Sequence, residues 1–135
     1  MWRTVASIVA GLAAWAVVVT ILNFGLRAVI PGYHAAEATL QFTMAMKIGR
    51  LTEAAVTSVV AGAITGLAAP KKSWAPLTVG LITLAMFLPE HVKLWNHFPV
   101  WYHLSFLVPL VPLVVLGGFL TQNAAAGSRA PAAAS

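Results

Sequence analysis

The sequence predicts an all-α integral membrane protein, a bundle of four transmembrane helices. Three observations lead there. The 135 residues are 60% hydrophobic and only 8% charged, where a soluble domain carries roughly 25% charge to solvate its surface. The apolar residues fall in runs of about 20, the length that crosses a ~30 Å hydrocarbon core as a helix. The basic and aromatic residues gather at the ends of those runs, as they do at membrane interfaces. In lipid the backbone must satisfy its own hydrogen bonds, so each run is expected to be helical.

Span one covers about Thr4–Leu26, with polar residues only at Thr4, Ser7, Thr20 and Asn23. Met1-Trp2-Arg3 could open a signal peptide, but the apolar run is too long for one and is read as a retained span. Arg27 closes it at the interface. Pro31-Gly32 then turns the chain.

Residues 33–50 are less apolar. As a helix they would set His34, Glu37 and Gln41 on one stripe, since residues three and four apart are neighbours. Whether they lie in the interface or extend span two is left open. Span two covers about Leu51–Ala69 and carries a ladder of small residues, Ala54, Ser58, Gly62 and Gly66. Such a ladder lets helix backbones approach closely. It serves either a homodimer or packing on span one, whose Ala6, Ala10 and Ala14 are spaced alike. Arg50 and Glu53 are expected to pair at the start of this span.

Pro70–Ser73 is a turn. Span three starts at Ala75, and Pro89 arrives after about 22 Å of helix. Either the membrane thins locally or the helix continues and draws Glu90 and His91 toward the hydrocarbon; the span is taken to about Trp95. Span four covers about Tyr102–Leu120 and contains Pro109 and Pro112. Residues 1–121 form one transmembrane domain. The alanine-rich residues 122–135 are expected to be disordered.

Four spans put both termini on one side. Arg3, Lys71, Lys72 and Arg129 share that side, against Arg27, Lys47, Arg50 and Lys93 on the other. The balance is level, and Lys71-Lys72 in a very short loop favours cytoplasmic termini. The acids and histidines all fall on the opposite, periplasmic side, beside an aromatic belt of Tyr33, Trp95, Trp101 and Tyr102.

The polar chemistry concentrates in Pro89–His103, which holds three of the four histidines. His91, His97, His103 and Glu90 are the candidate metal ligands, with His34 and Glu37 next. Imidazoles and a carboxylate suit zinc, copper or iron, and His91 with His103 could clamp a haem. No recognised ligand spacing is present, so no cofactor is predicted. The cap also suits a quinone or a lipid headgroup. The plainer reading is a structural belt, with Glu90 paired to Lys93 and His91 stacked on Trp95. A working cap requires His91 and His103 to meet within a few ångströms.

The chain has no cysteine, which removes disulfides and thiolate chemistry. The net charge of +5 sits at span ends, which indicates lipid and not nucleic acid. Ser105 falls on a different helical face from His103 and has no nucleophile turn around it, so no enzyme is predicted. The span interiors carry only Ser, Thr and Asn23, without the ionisable groups an ion-coupled transporter uses.

Met46–Gly62 and Leu88–Phe106 resemble a family of short, uncharacterised four-span bacterial inner-membrane proteins. The resemblance implies a bacterial inner membrane and four spans, and no activity. The reading is a non-enzymatic accessory or structural membrane protein, alone, as a homodimer or within a larger membrane complex. The alternative is a small dimeric carrier, or a binder of a metal, quinone or lipid headgroup at the periplasmic cap.

Overall fold

A computed structural model describes residues 1–128. These are 84% helical, with no strand among them. Five helices follow in order: α1 (Trp2–Val29), α2 (Tyr33–Thr39), α3 (Met44–Ala68), α4 (Ala75–Lys93) and α5 (Val100–Ser128). All but the short α2 are long and apolar enough to cross a membrane. The protein is a multi-pass membrane protein in a lipid bilayer. We call the end that carries α2 and the α4–α5 loop the cap.

The breaks between helices follow from local chemistry. After α1, Ile30 is extended and Gly32 takes the left-handed φ of 78°, ahead of α2. Leu40 is left-handed too, at φ 58°, which ends α2 and takes Gln41 off the expected stripe with His34 and Glu37. The Thr43 hydroxyl then accepts from the Met46 amide at 3.3 Å. This N-cap starts α3 seven residues before Leu51. Residues 33–50 thus split: part is a separate cap helix and part lengthens the third helix. As a result Arg50 and Glu53 lie inside a span, so the expected absence of ionisable groups from the span interiors is corrected.

α4 keeps Pro89 within it and ends at Lys93, two residues short of the expected Trp95. α5 passes through Pro109 and Pro112 and continues to Ser128. The tail expected to be disordered from Gln122 is therefore helical over 122–128, where alanine favours helix. Residues 129–135 lie outside the described residues.

α3 is the centre of the bundle because two of its faces are built from small residues. Ala54, Ser58, Gly62 and Gly66 are buried, and the two glycines pack on α5. A Cβ on Gly62 would strike the Val114 backbone, and one on Gly66 would strike Gly118. The ladder is thus spent inside the chain, on α5. It forms neither a homodimer face nor the contact with span one. Gly117 and Gly118 reciprocate, closing on Val59, Ala63 and Pro76. The partners stay in step: Gly62–Val114 and Gly66–Gly118 keep the 52-residue separation of the Arg50–Tyr102 contact. The two helices therefore run parallel, in one register, over their shared length.

The neighbouring face of α3, about 100° round the helix, carries Glu53, Thr57, Ala61 and Thr65, all buried. It receives α1 through Gly11, whose Cβ position falls on Thr65 and Ala61. The buried α1 stripe is Ser7 and Gly11, one position off the expected Ala6–Ala10–Ala14 ladder. Trp15 adds a contact with Phe87 of α4, ring centroids 4.8 Å apart, and the outer side of α1, with Val5, Val9, Val17, Ile21 and Phe24, is exposed. A separate apolar cluster of Tyr33, Ala36, Phe42, Met46, Phe98 and Tyr102 ties α2 and the α4–α5 loop onto the cap.

Candidate functional site

The cap is organised by Arg50. Its Nε donates to the Tyr102 hydroxyl and its Nη1 to the Tyr33 hydroxyl, each at 3.0 Å. The guanidinium also lies 4.7 Å from the Phe42 ring centroid, a cation–π contact. One side chain of α3 thus fastens α2 and α5. Tyr33 and Tyr102 are buried at 0% and 3% exposure. They belong to this anchor and not to the expected aromatic belt. Burial pushes the Tyr33 phenol up, and the nearby guanidinium partly offsets that.

Expected to pair with Glu53, Arg50 is drawn away by the two phenols. Glu53 is 8% exposed, and its Oε1 is buried with no hydrogen-bond partner among the described residues. At the cap rim Arg27 holds Glu37 through two bonds, Nε–Oε1 at 3.0 Å and Nη2–Oε2 at 2.7 Å. Hydrogen bonding from Arg27, and then its charge, hold the Glu37 carboxyl below its ordinary value. Glu37 therefore fastens α2 to α1, and does not close over the histidines. His34 is exposed beside it.

His91 and His103 do meet. Their Nδ1 atoms are 2.8 Å apart, and both rings are buried, at 8% and 0% exposure. The His103 Nε2 lies 3.3 Å from the Trp95 carbonyl. A carbonyl only accepts, so Nε2 carries the proton and a neutral His103 leaves a lone pair on Nδ1. His91 then donates from Nδ1, and its Nε2 holds the pair's free lone pair. Trp95 stacks on His103, with centroids 4.6 Å apart and planes 10° apart. The expected His91–Trp95 stack is thus replaced, because His91 packs on Phe106 at 4.4 Å.

The other two candidate ligands stay outside this pair. Glu90 is exposed and bonds Lys93 at 3.0 Å, as its spacing predicts, and His97 is exposed. Among the described residues no group of three or more His, Asp or Glu side chains is placed to hold a metal ion. The six-residue spacing explains this. His97 sits in the α4–α5 loop, and only the helix-borne His91 and His103 turn inward.

Two cavities adjoin the anchor. One, of about 310 Å³, lies between α1 and the other spans and is lined by Asn23, Arg27, Arg50, Glu53, Phe87 and Phe106, among others. The second, of about 220 Å³, is lined by Arg50, His91, Phe98, Tyr102 and His103. Arg50, Phe87 and Phe106 are walls of both. An apolar groove of about 370 Å³ runs between α1 and α3, with Glu53 on its wall as well. The site combines cationic, anionic and aromatic surface where the bundle opens to lipid. It presents hydrogen-bonding and charged groups to that opening. The sequence reading named Arg50 and Glu53 only as an ion pair at the start of span two and did not foresee them as separate walls of a cavity. Their signal was there, an arginine and a glutamate set well inside an apolar helix whose one other charge, Lys47, lies in its first turn.

No family model, curated protein or solved structure matches this chain.

Proposed function

We propose that this protein is a non-enzymatic accessory protein of a bacterial inner membrane that binds the polar head of a lipid-phase amphiphile at its cap. One observation carries the reading. The Arg50 guanidinium, fixed by two buried phenols, is the shared wall of two adjoining cavities. A charge enclosed in an apolar bundle is costly unless something uses it, and intramembrane ionisable groups mark ligand sites by default. The combined space suits a headgroup, since small-molecule sites begin at about 300 Å³. Both termini are assigned to the cytoplasm, supported by Lys71-Lys72 in the short α3–α4 turn, which leaves the cap periplasmic.

The test is extraction and mass spectrometry of what co-purifies with the full chain in mild detergent. One amphiphile per chain, lost in a Thr20→Phe variant that fills the cavity from an exposed position of α1, supports the reading. Equal, non-stoichiometric lipid on both proteins, each folded by circular dichroism, would overturn it.

A further inference from the structure

Arg50 and Glu53 stand one turn apart on α3, a spacing at which an arginine and a carboxylate ordinarily pair. They are held apart instead. Arg50 spends Nε and Nη1 on Tyr102 and Tyr33, and Glu53 keeps a buried Oε1 with no partner. Both line the same 310 Å³ cavity. The third charged wall, Arg27, spends Nε and Nη2 on Glu37. Among the described residues, the Nη1 of Arg27 and the Nη2 of Arg50 make no hydrogen bond.

The cavity is therefore neutral in sum but divided. Glu37 balances Arg27 at the rim, and Glu53 formally balances Arg50 without touching it. A purely anionic head would bring like charge to Glu53, and a purely cationic one would bring it to Arg50. A head that carries both signs a few atoms apart satisfies both walls. Guanidinium nitrogens match phosphate oxygens. A carboxylate in a cavity also walled by the Phe87 and Phe106 rings suits an ammonium.

Glu53 also borders the apolar groove between α1 and α3. That groove is walled by Leu22, Leu26, Val29 and Val56, with Gly25 and Gly49 keeping it clear of side chains. At Gly25 an added Cβ would meet nothing within 4 Å. A chain attached to the head thus has a path from the cavity into lipid, which a free soluble zwitterion would not need.

We propose that this cavity binds a zwitterionic phospholipid, its phosphate on Arg50 and Arg27, its ammonium on Glu53, and one acyl chain in the α1–α3 groove. The proposal rests on the headgroup-binding reading and narrows it to one lipid class.

The experiment uses the full chain, delipidated in mild detergent and titrated by native mass spectrometry with phosphatidylethanolamine, phosphatidylglycerol and free phosphoethanolamine. Expected is one phosphatidylethanolamine per chain, bound about ten-fold more tightly than phosphatidylglycerol, a difference of about 1.4 kcal/mol. Glu53→Gln removes that preference. Gly25→Leu, at an exposed position with free space, weakens phosphatidylethanolamine and leaves folding intact. Phosphatidylglycerol bound as well as or better than phosphatidylethanolamine would overturn the zwitterion inference while the headgroup reading stands. Phosphoethanolamine bound as tightly as the intact lipid would overturn the lipid assignment. Binding of none of the three would overturn the zwitterion inference. The headgroup reading is decided separately, by the extraction.

Discussion

The Nδ1 atoms of His91 and His103 face each other at 2.8 Å, which requires one proton and one lone pair between them. The Trp95 carbonyl at His103 Nε2 decides which ring supplies which. Nitrogen-15 spectra of histidine-labelled protein should show a protonated Nε2 on His103 and a protonated Nδ1 on His91. The reverse tautomers would remove the free lone pair from His91. His103→Ala leaves His91 without its acceptor and should cost about 1–3 kcal/mol, the range for an orphaned buried polar group.

The Arg50 anchor should behave as one unit. Tyr33→Phe and Tyr102→Phe each delete an acceptor of a charged donor, at about 1.5–3 kcal/mol. Double-mutant cycles on thermal unfolding should show coupling through Arg50. In an ultraviolet titration, Tyr33 should ionise above the ordinary value of 10.0, because burial disfavours the phenolate. A tyrosine count that titrates fully at the ordinary value would contradict the buried anchor.

Glu37 gives the cap a pH dependence of defined sign. Its carboxyl is held below 4.5 by Arg27, so the folded state binds its proton less readily than the unfolded state. The stabilisation is complete above 4.5 and is lost as pH falls through the lower folded value. The protection of the α2 amides, their exchange rate relative to that of an unstructured chain at the same pH, should hold above that point and fall below it. Glu37→Gln should abolish the step.

The α3–α5 seam leaves no room for side chains. Gly62→Leu should destabilise the bundle by about 1–3 kcal/mol or more through overpacking, because its Cβ meets the Val114 backbone. Gly25→Ala, in open space, should cost nothing. If Gly62→Leu abolished only self-association and left thermal unfolding unchanged, the glycine face would belong to a dimer.

The four spans could be read from the sequence because apolar length and interface residues are local signals. The meeting of His91 with His103 was legible only as a condition of a working cap, because it depends on the loop between the two spans folding back, which the six-residue spacing does not decide. What was not legible depends on partners far along the chain. Arg50 and Glu53 have pairing spacing, yet phenols from Tyr33 and Tyr102 outcompete the carboxylate. Spacing cannot weigh that contest. The Gly62–Gly66 face was visible as a packing face, but its partner is set by the register with Gly118. The start of α3 turned on Thr43, an N-cap that hydropathy overlooks.

The seam between α3 and α5 also bears on how the protein is made. The helix that carries Gly62 and Gly66 leaves the ribosome well before the helix that covers them. Until α5 enters the membrane, that groove has only lipid against it, and the Arg50 guanidinium lacks Tyr102. Assembly is therefore completed by the last segment to insert. A chain shortened before α5 would expose both the groove and the charge, the features by which membrane quality control distinguishes an unfinished protein from a mature one.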